Sequence, residues 1–480
     1  MATGMPVKPG LWLLSGIVLA ACAPLPAVSP PRPEVARPAL RQTLAAVAGT
    51  PAFRSTDRLS RTWWSTFGDK ALDDLVDMAL RGSPTLATAR ARIDQARQAA
   101  RLVEIESGPR YSSDASLVRQ HLSENGLFPP PMGGTTLNEG DVSVGIAYAL
   151  DWWGKNRALL QSAVGESRAA EADRGAAQLA LAGEVADAYF NWQDIVARLR
   201  LARQAVEKRS MALRLADSRL KRGIDSALPF SQMEVLLAEE QDKLKDLEMQ
   251  SRLLRDRLAA LTGNGPDWAA GLAEPAPSAA VPFPLPQKLP LDWLARRPDL
   301  VALKWRAEAA AQRIEGARAD FYPNVDLRLL LGLQDIDLGN WLTAKSRYGS
   351  FGPALHIPLF NVRTLRASLG MREAEYAAAV AQYNQALVTA ASQVADALAR
   401  VSALDARERL QRSATASAER TQQLQAARFA SGLSDRLPLL DGEIATLAQH
   451  ARESSLQADR KRAMAMLFLA LGGGYEPGQE

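Results

Sequence analysis

The 480-residue chain holds one cysteine, Cys22, which closes the segment LAAC at residues 19–22. A single thiol excludes an internal disulfide and any metal site built from several cysteines. Lys8 and the apolar run LWLLSGIVLA, residues 11–20, precede it. That run is too short to span a bilayer and has the make-up of a secretory signal, so residues 1–21 are expected to be removed. Small residues before a cysteine at such a site are what lipid attachment needs. Cys22 is therefore the expected acylated first residue of the mature chain; an ordinary signal peptide with a coincidental cysteine is the alternative. No cofactor is expected beyond that covalent lipid. His121, His356 and His450 are scattered without metal-ligand spacing, which supports neither a metal nor a catalytic imidazole. The legible chemistry is attachment to a membrane, with no sign of catalysis.

Bulk composition limits what carries that attachment. Hydrophobic residues make up 47% and charged residues 23%, which describes a folded chain. The net charge of +4 is spread without a basic block and gives nucleic-acid binding no support. After the signal there is no run of about 18 uncharged apolar residues, so no membrane helix is expected. A membrane β-barrel, whose pattern is weaker, stays open.

A duplication organises the rest. EVADAY at 184–189 returns as QVADAL at 393–398, an offset of 209 residues. The same offset pairs Leu150 with Leu359, Arg157 with Arg366, Arg219 with Arg428 and Gly223 with Gly432. It also pairs Pro229 with Pro438, Glu234 with Glu443 and Gly263 with Gly472. Upstream, Pro84 matches Pro298 and Pro109 matches Pro323 at an offset of 214, so the second copy is five residues shorter in a loop. The chain divides into a lipidated extended segment (22–68), a first repeat (69–264), a proline-rich linker (265–287) that cannot be a regular helix, a second repeat (288–473) and a tail (474–480).

Each repeat reads as helix, strand, strand, very long helix, helix. Ala/Arg-rich helices are ended by Pro109 and by Pro323. Strands are expected near 110–122 and 141–150, then near 324–334 and 350–359. Val325, Leu327, Leu329, Leu331 and Leu333 share one face, while Asn324, Asp326, Arg328 and Gln334 share the other. Val142, Val144, Ile146, Tyr148 and Leu150 behave likewise, as do Phe351, Pro353, Leu355 and Ile357; the first strand alternates less cleanly. Proline-free stretches predict helices over 155–222 and 363–431, each roughly 100 Å long. Shorter helices are expected over 229–262 and 438–471. Val185, Ala188, Tyr189, Trp192, Ile195, Val196 and Leu199 suit close antiparallel coiled-coil packing.

Four strands cannot close a barrel, and open sheet edges are not tolerated in lipid. Strands that span a membrane must then be closed by further copies, and three copies supply twelve, an even number within the range of such barrels. Trp152 and Trp153 stand where an aromatic belt belongs, at the membrane–water boundary, and Gly154 leads the backbone into the helix. The second copy of this junction, IPLFNVRTLRAS, has Phe360 in place of Asp151 and no tryptophan pair.

Three stretches carry a resemblance over nearly the whole mature chain: WWSTFGDKALDDLVDMAL, LDWWGKNR and RRPDLVALKWRAEAAAQRIEGARADFYPNVDL. They resemble the outer membrane factor family of bacterial efflux systems, the TolC-like proteins, in particular the lipoprotein branch serving resistance-nodulation-division pumps. The resemblance implies an α+β membrane protein, a homotrimer whose 12-stranded β-barrel in the outer membrane is continued by a long periplasmic α-helical barrel. It implies a passive conduit for drugs, metals or other toxic small molecules, opened by a periplasmic adaptor protein and an inner-membrane transporter. Ala23 after the cysteine resembles lipoproteins sorted to the outer membrane. The exit duct of a protein-secretion system and a non-channel periplasmic coiled-coil scaffold are the competing functions.

The resemblance also assigns roles to residues. Arg222, Gly223 and Ile224 and, in the second repeat, Ser431, Gly432 and Leu433 match the hairpin tips that meet the adaptor. Glycine after a long helix is also an ordinary C-cap. Leu437 and Asp441 match an apolar ring and a carboxylate ring at the closed periplasmic gate. Asp441 is alternatively an exposed carboxylate near a helix N-terminus. Pro438 stands where some relatives carry a second acid. NGLFPPPMGG is expected as an extracellular loop.

Overall fold

A computed structural model describes residues 59–276, 294–336, 339–340 and 342–476, with residues 36, 38 and 42 and the backbone of 53–56 and 283–286. Cys22 and the signal segment lie outside the described residues. The chain forms two compact units, one from Arg92–Ala170 and Leu303–Tyr383, the other from Val35–Ala91, Glu171–Ala302 and Asn384–Glu480.

In chain order the strands are β1 (Phe53–Thr56), β2 (Arg110–His121), β3 (Thr136–Leu150), β4 (Phe283–Pro286), β5 (Asn324–Asp335) and β6 (Arg347–His356). The helices are α1 (Lys70–Gly82), α2 (Pro84–Glu106), α3 (Lys155–Lys221), α4 (Ala227–Leu261), α5 (Pro298–Ala319), α6 (Val362–Ala430) and α7 (Arg436–Ala470). No helix among the described residues is long and apolar enough to cross a membrane.

The first unit contains an antiparallel sheet in the order β2-β3-β5-β6. Its period-2 alternation puts Leu327, Leu329, Leu331 and Leu333 of β5 opposite Tyr148, Ile146, Val144 and Val142 of β3, which makes one face continuously apolar. The other face carries Asp114, Asp141, Asp326 and Arg328. β3 begins at Thr136, earlier than the alternating run, because Thr136 to Glu139 complete the ladder with β2. β6 ends at His356, so Ile357 is outside it. Pro358 has no N–H to continue the ladder, and the Leu359 N–H turns back to the Ile357 carbonyl at 3.0 Å.

Both shorter helices of the long hairpins start two residues before their prolines, at Ala227 and Arg436. Proline fits in a first turn because the N–H groups there have no partner within the helix. The linker, which cannot be one regular helix, still opens with a helical turn, Pro266–Ala269, with Pro266 at its start. Farther on it contributes β4, whose backbone pairs in parallel with β1. The prolines and lack of alternation in both segments hid this pairing.

The core of the second unit is aromatic. Trp63 is fully buried, stacked on Phe468 at 5.2 Å and edge-on to Trp64 and Phe67, while Phe67 packs on Phe190 at 4.8 Å. Asp69 then caps α1, accepting the N–H groups of Ala71 and Leu72, and also takes the Tyr189 hydroxyl at 2.8 Å. Burial, followed by the Asp69 bond, pushes the Tyr189 phenol well up. The WWSTFGD motif thus docks the N-terminal segment on α3 and α7. Val185, Ala188, Tyr189, Trp192, Ile195, Val196 and Leu199 are all buried on α3, and the Trp192 indole N–H bonds Ser251 Oγ at 3.1 Å.

Asp194 interrupts this apolar stripe. Its carboxylate is buried and accepts Ser454 Oγ at 2.9 Å and Ser455 Oγ at 3.2 Å from α7, with Arg198 at 3.5 Å. Burial outweighs these partners and raises its pKa. The folded protein therefore holds the proton more tightly than the unfolded chain, so this group's contribution is full below its unfolded pKa and is lost as pH rises through the folded one. Asp194→Asn is expected to flatten that acid-side dependence and to leave neutral-pH stability equal or higher. Thermal melts at several pH values check it; a large loss of stability at neutral pH would make the ionised form the stabilising one.

Candidate functional site

The strand-to-helix junction of the first repeat is built by its own sequence. Asp151 follows the last residue of β3 and caps α3, its two carboxylate oxygens accepting the N–H groups of Asn156 and Arg157 at 3.0 Å each. Gly154 sits at φ +74° and its carbonyl receives the Ala158 N–H at 2.9 Å. Both tryptophans are exposed, but Trp153 also stacks on Tyr322 at 4.4 Å and 15° and donates its indole N–H to the Pro323 carbonyl at 2.9 Å. The two tryptophans have separate roles. Trp152 is free to meet solvent or lipid, and Trp153 ties the first repeat to the Tyr-Pro of the second. At the second junction Phe360, in the place of Asp151, is almost wholly exposed and cannot cap α6.

The hairpin tips are matched. In the first, the Gly223 N–H reaches the Leu220 carbonyl and the Ile224 N–H the Arg219 carbonyl, both at 2.9 Å. In the second, Gly432 reaches Phe429 at 3.0 Å and Leu433 reaches Arg428 at 2.9 Å. This double bond pattern needs a left-handed residue, and Gly223 and Gly432 provide it at φ +68° and +70°. Arg222 and Ser431, the first residues past their helices, are exposed, and the apolar Ile224 and Leu433 are 60% and 72% exposed. The glycine caps are therefore structural, and the apolar residues beyond them are uncovered.

Leu437 and Asp441 both lie on α7, next to partners that their local sequence does not mark. Asp435 caps α7 through the Leu437 N–H at 3.0 Å, and Leu437 itself is half-buried. The same Asp435 accepts Arg219 Nη1 at 2.9 Å. Arg219 also grips Asp225 with Nε at 2.6 Å and Nη2 at 3.3 Å. One guanidinium thus joins the end of α3, the first tip and the start of α7. Farther along, Asp441 pairs with Arg209 at 2.7 Å and Glu443 with Lys208 at 2.8 Å. Asp441 is 58% exposed and Arg209 only 14%. The acid faces solvent while its partner is held in the packing. Long-range pairs of this kind leave no periodic mark in sequence; Arg219 beside Asp225 was the visible clue. Among the described residues no three His, Cys, Asp or Glu side chains gather to hold a metal.

The chain matches the model of the outer membrane efflux protein family over residues 75–264 and 289–473. It is 31% identical over 475 residues to the fusaric acid resistance protein FusA of Burkholderia cepacia, covering 98% of this chain and 88% of that protein. It is 30% identical over 471 residues to the putative multidrug resistance outer membrane protein MdtQ of Escherichia coli, covering 96% of each. Among solved structures it is similar to the outer membrane protein VceC of Vibrio cholerae, with a TM-score of 0.78, 32% identity, and coverage of 87% of this chain and 100% of that one. Apolar-faced strands, duplicated helical hairpins and these matches lead to one conclusion: the chain belongs to the outer membrane efflux proteins, the TolC-like family, whose members are channels and not enzymes.

Proposed function

We propose that this protein is the outer membrane duct of a tripartite efflux pump, a passive conduit that releases small toxic molecules to the exterior. The observation that carries the reading is the four-stranded sheet, apolar on one face and polar on the other, with both edges unpaired among the described residues. Such a sheet is stable in lipid only when closed. Three copies give a twelve-stranded barrel with the leucine face toward lipid and Asp114, Asp141 and Arg328 toward water. The α3/α4 and α6/α7 hairpins continue the conduit into the periplasm. Acylated Cys22 adds a lipid anchor, which alone holds a chain only moderately. Resistance to fusaric acid and to multiple drugs, named in the relatives, favours organic toxicants as cargo over proteins.

The exposed Ile224 and Leu433 at the tips meet the adaptor, and an inner-membrane resistance-nodulation-division transporter supplies the energy. A deletion strain challenged with a panel of antibiotics, metals and organic acids tests the export function. Sensitivity of the deletion strain that the intact gene reverses identifies the cargo, and unchanged resistance to the whole panel rejects the export function. Gly432→Asp tests the tip. A Cβ there meets nothing within 4 Å, and aspartate tolerates the left-handed region better than most residues. Trimers are expected to assemble normally while adaptor capture and resistance fall at least several-fold; loss of trimers instead would reduce Gly432 to a cap.

A further inference from the structure

The polar face of the sheet is ordered by charge along its length. Arg110 lies opposite Ala147, Ala147 opposite Arg328 and Arg328 opposite Gly352, so the two arginines share one row at the helical end. They stand two strands apart, about 9–10 Å, with alanine and glycine beside them and no carboxylate in the row. Both are exposed. Arg328 makes a weak contact with Asp326 at 3.5 Å, one pleat nearer the helices, and Asp326 also accepts Asn324 at 3.0 Å.

The other acids of this face lie farther out. Asp114 follows Arg110 along β2 by about 13 Å, and Asp141, opposite Ser116, is about 20 Å from the arginine row. Glu139, opposite Val118, stands beyond them. Neutral donors serve these acids and leave their charge in place. The Tyr348 hydroxyl bonds Asp141 at 2.7 Å, while Gln120 and Gln334 reach Glu139 at 3.3 and 2.6 Å. On the helical side of Arg110 a cavity of about 850 Å³ opens between α2, α3, α5 and α6. Ala96, Ala99, Val103 and Leu159 give it an apolar wall. Lys155 there is paired with Asp320 at 2.6 Å and Arg313 with Glu166, and Glu106 is an exposed acid of the same wall.

We propose that Arg110 and Arg328 form a cationic ring at the inner mouth of the barrel that selects organic anions, carboxylates above all, and that the acidic ring farther out eases their exit. This rests on the trimeric barrel proposed above, in which two arginines per chain become six. A guanidinium holds a carboxylate with two parallel N–H groups, and the cavity beneath offers room and apolar surface for the body of an organic acid. The two rings are farther apart than the Debye length of about 8 Å at physiological salt, so they act as separate zones in series. A voltage that drives anions outward drives cations inward. Each ion then enters through a mouth of opposite charge, and both accumulate in the barrel. The reverse voltage admits each ion through a mouth of its own sign and depletes it. Current therefore flows more readily in the sense of anion exit. The rings supply no energy; they set relative rates, and the gradient sets the direction.

Thiol labelling from outside the cell reads both rings without an open periplasmic end. Cys22 is the only native cysteine, so the unaltered chain is the blank. Ala147→Cys sits between the arginines and Ser116→Cys opposite Asp141. A negatively charged methanethiosulfonate is expected to outpace a positively charged one at Ala147→Cys, and the order should invert at Ser116→Cys. Adding Arg110→Gln and Arg328→Gln should lower the ratio of the two rates at Ala147→Cys by about two-fold or more, with a larger change at low salt, and leave it unaltered at Ser116→Cys. Equal ratios at the two sites, or no response to the glutamines, overturn the cationic ring. Labelling of Leu329→Cys on the leucine face in place of Ala147→Cys rejects the barrel itself. The second measure is current through planar bilayers with sodium benzoate as the salt. Native trimers should pass more current when benzoate is driven outward, and the double glutamine variant should lose that asymmetry while still running as trimers on mild gels. Asymmetry that persists in the double variant, or that favours inward benzoate in the native protein, overturns the selection of anions.

Discussion

Trp63→Ala is expected to lower the unfolding free energy by about 3–5 kcal/mol, the range for emptying a fully buried aromatic site. The side chain has no exposed surface, and four aromatic rings meet around it: Phe468 face to face, Trp64 and Phe67 edge-on, and Phe190 one ring further. Truncation leaves a cavity that these rings cannot fill without losing their own geometry. One term opposes the loss. The Trp63 indole N–H is buried without a hydrogen-bond partner among the described residues, so the substitution also removes an unsatisfied donor worth about 1–3 kcal/mol. The expected value therefore lies toward the lower end. Trp63→Phe separates the two effects, because it keeps a ring on Phe468 and deletes the donor. It should cost far less than alanine. Denaturant midpoints of the purified protein in detergent measure both, and equal losses for the two variants would show that ring packing is not what Trp63 provides.

The same motif shows how far sequence reasoning reached. WWSTFGD was legible as a family mark, yet its physical work depends on Phe190, Tyr189 and Phe468, which come from distant helices. Local patterns were readable where one environment imposes one period. The five aliphatics from Val325 to Leu333 lie in β5 because each alternate residue faces the same apolar side. The first strand was blurred because Ser113 and Ala115 occupy that side as small residues, and the Thr136 end of β3 because polar residues extend it beyond the apolar face. Glycine and proline marked both tips, since few other residues satisfy a left-handed cap followed by a helix start. The two tryptophans of the junction looked equivalent by type. Only the fold separates Trp153, stacked on Tyr322, from the more exposed Trp152. Asp441 could be placed on a helix face, but Arg209 lies 232 residues earlier and no local rule connects them.

Arg219→Ala is expected to raise channel conductance several-fold, more than any other single change at the tips. Arg219 is a hub, holding Asp225 with two nitrogens and Asp435 with a third. Its removal leaves two half-exposed carboxylates facing one another, so attraction between the hairpins turns into repulsion. The change also leaves Asp435 as the cap of α7, so the helix start itself is kept. Arg209→Ala frees only Asp441 and should have a smaller effect, while Asp441→Ala should open the channel and strand a nearly buried guanidinium. Arg219→Lys keeps the charge but lacks the planar fork needed to hold both partners, which places it between the alanine variant and the native protein. All three pairs reach solvent and are screened by salt, so the native conductance should rise with salt faster than bulk conductivity does, and the Arg219→Ala conductance should not. Single-channel recordings in planar bilayers across a salt series measure both quantities. If Arg219→Ala conducts like the native protein at every salt concentration, these ion pairs fix the hairpin tips without closing the channel, and the constriction must be sought at Leu437 or in the packing of the helices above it.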